Sequence, residues 1–317
     1  MIAKNLDSDK QLFISTHSEH FLKGLIENSG ERLTVVRIER SGDTNSLSIL
    51  ESTDLKAIWH DSLLKHSNIL DGLFHSKVVL CESDSDARFF SAVTDVLVEY
   101  KGLPAPDIHF IHCGGKAKFP IVIKAFKKIN VPLTVIGDFD LFNNQKPLRD
   151  MFEAMGGNWQ EVKTDFEKVK SDIDSQRPEL NSDDFKKAVI EALKTITEDV
   201  VSDGKLSEIK DLVKKASAWT KAKMVGKEML RSGPPIQSYI NLNKALLEKH
   251  IVVLEFGELE SLDKRHSLHG PAWTSKVLEL DVLNDSELER ARYFVLKNIL
   301  NQTIATSLRG EKAKEAS

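Results

Sequence analysis

The chain has very little cysteine and no long apolar run. Only Cys81 and Cys113 occur among its 317 residues, which excludes a disulfide framework and favours a reducing compartment. No apolar segment approaches the roughly 20 residues that span a bilayer, and the N-terminus carries no secretion signal. We therefore expect a cytoplasmic protein with no membrane partner.

A strong charge of one sign is also missing. The 44 basic and 48 acidic residues leave a net charge of −4, which excludes a uniformly basic surface for nucleic acid. A local basic patch is still compatible with this balance, because electrostatic steering depends on where the charges lie. The length allows two domains, or one domain with a large insertion.

What the chain does have is an alternation of strand-like and helical segments. The apolar runs KVVLC, DIHFIH and PLTVIG are typical of buried strands, and amphipathic segments separate them. Short connections of this kind predict a parallel α/β sheet. From about residue 156 to 249 the sequence is charged and helical in period, and HIVVLEF then returns to strand character.

The other segments are predicted in the same way. Near the N-terminus, QLFIST at Gln11–Thr16 is predicted to be a short strand, and two further strands flank the turn signal SGDTN. In the charged region the periodicity predicts long helices, which cover Trp159–Ser171, Ser182–Val201 and Leu206–Arg231, and a last helix is expected around Ser286–Gln302.

Carboxylates follow three of the strand-like segments. They are Glu82 and Asp86 after KVVLC, Asp138 and Asp140 in VIGDFD, and Glu258 and Glu260 in VVLEFGELE. Like charges this close together favour a shared cation, and hard oxygen ligands suit Mg²⁺ or Mn²⁺. Paired divalent ions in turn suit phosphodiester chemistry. This interpretation requires that the carboxylates are not buried in ion pairs with lysine or arginine.

Two simpler interpretations stand beside the metal site. A single acidic pair is equally typical of a solvated loop. Asp86 also lies in the first turn of a predicted helix that Ser83 would cap, which is ordinary helix-end electrostatics. Capping and metal binding are compatible, because an acid in the first turn also faces the end of the preceding strand.

Four segments together resemble the TOPRIM domain of the overcoming-lysogenisation-defect (OLD) family nucleases: KVVLCESDSDARFF, HCGGKAKF, VIGDFD and FGELESL. The resemblance covers roughly Lys77–Asn144 and His250–Leu280. It implies an α/β fold with a TOPRIM-type parallel-sheet core and a helical insertion. It also implies two Mg²⁺ or Mn²⁺ ions, whose ligands would be Glu82, Asp86, Asp138 and Asp140, with Glu258 or Glu260 completing the site.

The N-terminal segment carries a second resemblance. LFISTHSEHFL is similar to the strand and histidine switch near the end of ABC-type ATPase domains, where His17 would sense a γ-phosphate of bound nucleotide. No GxxxxGKS/T motif is present, so ATP is expected only with a missing ATPase half. The resulting division is an ATPase-domain remnant at 1–73, TOPRIM core at 74–155 and 250–317, and a helical insertion at 156–249.

Basic residues suggest where a nucleic acid would lie. Lys116 follows the turn Gly114-Gly115, whose backbone N–H groups could face a phosphate. Lys276 is a candidate for stabilising charge on the transferring phosphate. Lys205–Arg231 holds eight basic and three acidic residues, which is typical of a solvated helix face. The alternative is a stripe that grips the DNA backbone, with the residues Lys214, Lys223 and Lys227.

The leading prediction is a metal-dependent DNA endonuclease or nickase that uses a two-metal mechanism. The family resemblance implies a role in phage defence or DNA processing, with DNA as a partner and an ATPase half or a second copy of the chain as another. One alternative is a non-catalytic nucleic-acid-binding or assembly module that needs a separate ATPase half. A second alternative is a TOPRIM primase-like nucleotidyl transferase, although nothing in the sequence marks a triphosphate site.

Overall fold

The computed structural model describes residues 7, 9–29, 32–60, 68–197 and 200–302 as a mixed α/β fold. The strands are β1 (Val35–Ser41), β2 (Thr44–Leu50), β3 (Lys77–Cys81), β4 (Ile108–His112), β5 (Leu133–Gly137) and β6 (Ile251–Val253). The helices are α1 (Glu19–Ser29), α2 (Ser52–Trp59), α3 (Asp84–Tyr100), α4 (Phe119–Lys128), α5 (Gln145–Ala154), α6 (Trp159–Asp174), α7 (Ser182–Lys194), α8 (Asp203–Lys215), α9 (Ala218–Val225), α10 (Pro234–Glu248), α11 (Gly270–Leu278) and α12 (Glu289–Asn298).

The predicted α/β core is confirmed. Its strands form one sheet in the order β4-β3-β5-β6. Strand β3 pairs in parallel with both of its neighbours, so that Leu80 lies opposite Ile111 of β4 and Val135 of β5. Helices α3 and α4 supply the crossover connections that parallel strands require. All five residues of β5 are buried, as expected for a central strand covered on both faces.

The chain divides into two compact units, of which unit one comprises Met1–Ile136 and Leu262–Ser317. Its core packs aromatic rings from the helices beside the sheet. Phe89 of α3 lies 5.3 Å from Trp273 of α11, and Phe90 lies 5.1 Å from Phe294 of α12, measured between ring centroids. The C-terminal helices α11 and α12 are therefore part of the same core as β3.

Unit two is Gly137–Ser261 and is mainly helical. Its core includes an aromatic cluster in which Phe139 and Phe142, just after β5, pack on each other and on Tyr239 of α10. Apolar positions that recur at helical spacing bury one side of α6, as the periodicity predicts. The aromatic cluster thus anchors the segment that carries Asp138 and Asp140.

Three predicted helices differ from the observed ones. The stretch Leu206–Arg231 is not one helix, because Ser217 caps a new helix, α9, by accepting a hydrogen bond from the Trp219 N–H at 3.3 Å. Gly226 then ends α9 with a positive φ of 64°. The helix that begins at Ser182 ends at Lys194, and α12 begins only at Glu289, after a 3₁₀ turn.

The N-terminal part of unit one confirms one prediction and corrects another. Strands β1 and β2 form the expected antiparallel hairpin, which turns between Ser41 and Thr44. The strand predicted at Gln11–Thr16 is absent, since the described residues there have no strand structure and the side chain of Phe13 is 89% exposed. A short apolar run needs the backbone of a neighbouring strand to satisfy its polar groups. None of the described helices has the length and hydropathy needed to cross a membrane.

Candidate metal centre

The first predicted ligands lie at the end of strand β3 in unit one. Glu82 follows the strand and is half-buried. Ser83 then caps α3 reciprocally with Asp86: the Ser83 N–H donates to Asp86 Oδ2 at 2.8 Å, and the Asp86 N–H donates to Ser83 Oγ at 3.3 Å. The predicted capping role of Asp86 is therefore confirmed, and its role as a metal ligand stays a prediction.

The glycine turn after β4 holds the backbone of Glu82. Gly114 and Gly115 adopt φ values of 70° and 119°, which favour glycine, and the Gly115 N–H donates to the Glu82 carbonyl at 3.0 Å. Lys116 begins the 3₁₀ turn that leads into α4. Burial, and secondly the charge of Glu82, raise the pKa of the Cys113 thiol to about 12. The Glu82 carboxylate therefore lies close enough to act on the thiol that directly follows β4.

Unit two holds the carboxylates that follow β5. The Phe139 N–H, next to Asp138, donates to the carbonyl of Gly257 at 2.7 Å. The Leu254 N–H donates to the carbonyl of Gly137 at 2.9 Å. Two backbone hydrogen bonds thus fix the loop after β6 against the segment that begins at Gly137. They place Glu258 and Asp138 on neighbouring stretches of backbone.

Two glycines let helix α9 approach the same loop. Gly257 has a φ of 119°, and a Cβ there would collide with the backbone carbonyl of Lys223. Gly226 has a φ of 64°, and a Cβ there would collide with the carbonyl of Glu255. The Lys227 N–H donates to that Glu255 carbonyl at 2.8 Å. Only glycine permits this approach, which brings the end of α9 to the carboxylates.

Lys223 is the cation at the centre of this arrangement. Its Nζ lies 3.4 Å from Asp138 Oδ2 and 3.3 Å from Glu258 Oε2. Partial burial alone would lower the pKa of Lys223, but the charges of Asp138, Asp140 and Glu258 outweigh it and hold that pKa well above its ordinary value. Three of the predicted ligands therefore act together on one positive charge in unit two.

The donor chemistry fits a divalent metal. All three groups are carboxylates, the hard oxygen donors that Mg²⁺ and Mn²⁺ prefer. The side chains of Asp138 and Glu258 are only 16% and 14% exposed, whereas that of Lys223 is 40% exposed. The ion pairs are therefore open to solvent on the side of Lys223. A metal ion that enters from that side could displace the lysine. Both carboxylates are half-buried rather than fully buried, but each is paired with a lysine, which the sequence interpretation did not expect.

Glu260 is half-buried in the 3₁₀ turn Leu259–Leu262, and one of its carboxylate oxygens lies within 4.8 Å of a Glu258 carboxylate oxygen. The other predicted residues lie in ordinary surroundings, and His17 is exposed just before α1. Lys276 of α11 pairs with Glu279 at 2.7 Å. The remaining basic candidates also contact acidic residues, namely Lys214 with Asp211 at 3.2 Å and Lys227 with Glu255 at 2.7 Å. The proposed roles of these residues stay predictions.

The sequence interpretation assigned Lys223 to a DNA-binding stripe and missed its contact with the carboxylates. No local motif links a lysine of α9 to Asp138 or Glu258, because the contact joins distant parts of the chain. The only sequence signal was the pair Gly226 and Gly257, each of which marks a point where two backbones approach closely.

Part of the chain matches a known protein family. Residues 73–140 match the family described as overcoming lysogenization defect protein-like, TOPRIM domain. Residues 73–140 are an OLD-like TOPRIM domain. No curated protein matches the chain. Among solved structures, the C-terminal region of the Xanthomonas campestris pv. campestris OLD protein is similar at 17% identity with a TM-score of 0.23, covering 56% of this chain and 98% of that chain.

The OLD-like TOPRIM domain runs from just before β3 to just after β5. It includes four of the predicted ligands, Glu82, Asp86, Asp138 and Asp140, whereas Glu258 lies outside it. A TOPRIM domain of the OLD family indicates metal-dependent cleavage of nucleic acid, and a domain of this class binds divalent metal through acidic residues. The match and the carboxylate geometry thus point to the same chemistry.

Proposed function

We propose that this chain is a divalent-metal-dependent DNA endonuclease or nickase with Mg²⁺ or Mn²⁺ as its cofactor. The observation that carries the proposal is the group of carboxylates around Lys223, since Asp138 and Asp140 are also the last acids of the OLD-like TOPRIM domain. Three half-buried carboxylates gathered at one point require a counter-charge. A nuclease of this class uses such a group to hold metal.

The proposed ligands are Glu82, Asp86, Asp138 and Asp140, with Glu258 or Glu260 completing the set. Glu82 and Asp138 each follow one of two paired parallel strands, and the carboxyl ends of such strands are where α/β sheets carry their sites. When bound, two divalent ions supply Lewis-acid chemistry, which activates the attacking water and stabilises charge on the leaving oxygen.

The chain's own residues bind and position the nucleic acid. Gly115 and Lys116 present a backbone turn and a positive charge at the end of β4, and we propose that they contact a phosphate. Lys223 neutralises the carboxylates until metal binds and is then available to contact a phosphate itself. We propose Lys276 as a second group that stabilises charge on the phosphate, and Lys214 and Lys227 as contacts to the DNA backbone.

Plasmid nicking tests the proposal. Supercoiled DNA is incubated with the chain in Mg²⁺, Mn²⁺ or EDTA, and nicked product is measured over time. Wild type should nick only with metal, and Asp138→Ala should lose at least about a hundredfold because it removes a proposed metal ligand. Of Glu258→Ala and Glu260→Ala, the variant that removes the completing ligand should lose as much. Glu255→Ala is the matched control, since Glu255 lies in the same loop but pairs with Lys227. Wild-type nicking by Asp138→Ala would refute the assignment.

One observation favours a second role as an assembly module that needs a partner. Hairpin β1–β2 exposes four aliphatic side chains in cross-strand pairs, Val36 with Ile49 and Ile38 with Leu47. Exposed apolar surface of this kind typically marks an interaction site. Binding of Mn²⁺ without any cleavage by the isolated chain would support this role over a self-sufficient nuclease.

A further inference from the structure

We infer that unit one carries a second metal site, for Zn²⁺, formed by Asp71, His75 and His109. One ligand atom from each of these residues lies within 4.8 Å of the other two. The Nε2 atoms of His75 and His109 lie 3.9 and 3.8 Å from the same carboxylate oxygen, Asp71 Oδ2. Three potential donors therefore surround one point without any rearrangement of the backbone.

The site lies at the opposite end of the strands from the nuclease carboxylates. Asp71 belongs to the 3₁₀ turn Ile69–Phe74, and His75 follows that turn directly. His109 is the second residue of β4 and lies opposite Val78 of β3. The three residues thus lie near the amino ends of β3 and β4, whereas Glu82 follows the carboxyl end of β3. An ion there would tie the turn that precedes β3 to the start of the neighbouring strand.

Asp107 orients His75 in the way that metal-binding histidines are usually oriented. Its Oδ1 lies 2.6 Å from His75 Nδ1, and its Oδ2 accepts from the N–H and the hydroxyl of Ser76, both at 2.7 Å. Because the carboxylate holds the proton on Nδ1, the Nε2 lone pair of His75 is left for a metal. A fixed carboxylate behind a histidine is the outer-shell arrangement that raises ligand basicity.

The arrangement also shows which ring must move. The His75 and His109 rings are stacked with centroids 4.5 Å apart and planes 4° from parallel. Lone pairs in parallel planes do not converge on one ion, so a tetrahedral site with Zn–N distances of about 2.0–2.1 Å needs one ring to turn. His109 is that ring, because its hydrogen bond from Nε2 to the Asn68 carbonyl is long, at 3.4 Å, and is given up when Nε2 turns to bind a metal, whereas Asp107 holds His75 at 2.6 Å.

The donor set selects the class of metal. Two imidazole nitrogens and one carboxylate oxygen suit Zn²⁺ and are poorly matched to Mg²⁺. The side chains of His109, His75 and Asp71 are 16%, 30% and 39% exposed, so an ion can enter from solvent. Solvent would supply a fourth ligand. This selectivity separates the site from the all-carboxylate centre and makes the two sites independently testable.

Zn²⁺ binding to the full chain tests the inference. Zn²⁺ affinity is measured by competition with a chromophoric chelator. Millimolar Mg²⁺ is present throughout so that all-oxygen sites are already occupied. In a parallel titration Co²⁺ replaces Zn²⁺, because the visible absorption of Co²⁺ reports tetrahedral nitrogen ligation. Wild type should bind one equivalent. His75→Ala and His109→Ala should each abolish the Co²⁺ absorption and most of the affinity, whereas Asp107→Asn should keep the ligands and weaken binding by about 10- to 100-fold.

His112→Ala is the matched control, since it removes an imidazole from the other end of β4 and should leave Zn²⁺ affinity unchanged. Asp107→Asn also guards against misfolding, because it removes no ligand and should shift the affinity while the circular dichroism spectrum stays native. Wild type that binds no Zn²⁺, or His75→Ala and His109→Ala that bind it as wild type does, would overturn the inference. Neither result depends on whether the chain cleaves DNA.

Discussion

Replacing Lys223 by glutamine should make metal bind more tightly. In the metal-free protein the lysine ammonium occupies the position between Asp138 and Glu258, 3.4 and 3.3 Å from their oxygens. A divalent ion that uses these carboxylates must first displace that ammonium. Glutamine keeps much of the side-chain length but carries no charge, so Lys223→Gln removes the competitor and leaves the ligands in place.

The size of the effect follows from the geometry. An exposed ion pair contributes roughly 0–1 kcal/mol, and Lys223, with 40% of its side chain exposed, has two such contacts. Because both partner carboxylates are only 14–16% exposed, each contact should lie in the upper half of that range, so displacing both should cost about 1–2 kcal/mol. Since 1.4 kcal/mol is a factor of ten in an equilibrium constant, Lys223→Gln should lower the dissociation constant for Mg²⁺ by about 5- to 30-fold.

Lys223→Gln should strengthen metal binding but weaken the stability of the metal-free protein. Without metal, Lys223→Gln should lower the free energy of unfolding by about 1–2 kcal/mol, because the three carboxylates lose their counter-charge, and saturating Mg²⁺ should restore it. The pKa of Lys223 is raised above its ordinary 10.5, so its stabilising contribution is fully present below that pH and is lost only as pH rises through the folded-state pKa. The difference between wild type and variant should therefore be constant between about pH 7 and pH 9.

Calorimetric titration with Mg²⁺, and electron paramagnetic resonance of unbound Mn²⁺, would measure the affinities. Lys227→Gln is the matched control: it removes the same charge nearby in the chain but pairs with Glu255, and its metal affinity should equal that of wild type. Unchanged or weaker binding by Lys223→Gln would refute the reasoning, because it would show that the lysine and the metal do not compete for these oxygens.

Three further predictions concern the scaffold of the site. Gly257→Ala should destabilise the fold by at least about 2 kcal/mol in urea unfolding, because a φ of 119° is strained for alanine and the Lys223 carbonyl blocks its Cβ; an unchanged midpoint would contradict this close approach. Ser83→Ala should cost about 1 kcal/mol through the lost helix cap and leave Mg²⁺ affinity unchanged, and a loss of affinity would instead link the cap to metal binding. Cys113, with its pKa raised to about 12, should resist thiol reagents at pH 8 until urea unfolds the chain, and rapid labelling of the folded protein would contradict its burial.

The sequence was most informative where a local pattern and the fold agree. The apolar runs KVVLC, DIHFIH and PLTVIG became β3, β4 and β5 because a strand buried on both faces has no polar side to display. QLFIST has the same apolar character but is not a strand in the structure. The difference is the neighbouring backbone, which the sequence of one segment does not report. The two strands and the turn of hairpin β1–β2 were predicted correctly because they are adjacent in the sequence.

The site was predictable only in part, for the same reason. Asp138, Asp140 and Glu258 each follow a strand, and this local signal selected them as candidate ligands, a role that stays a prediction. Lys223 carries no comparable signal, because its charge resembles that of any solvated helix face. His75 and His109 were missed entirely, since two histidines on separate elements form a cluster only when β4 pairs with β3.

The position of Lys223 would give the helical region of unit two a part in the proposed metal chemistry. The lysine belongs to α9, and its approach to Glu258 depends on Gly226 and Gly257, where no side chain could be accommodated. Carboxylates that must later hold a divalent ion would repel one another while the protein folds without metal. A lysine from α9 reduces that repulsion with a single charge, which a divalent ion can be expected to replace. On the proposed function, the helices between residues 156 and 249 contribute to the metal centre through Lys223, and substitutions that move α9 should alter metal affinity even though none of its residues is a proposed ligand.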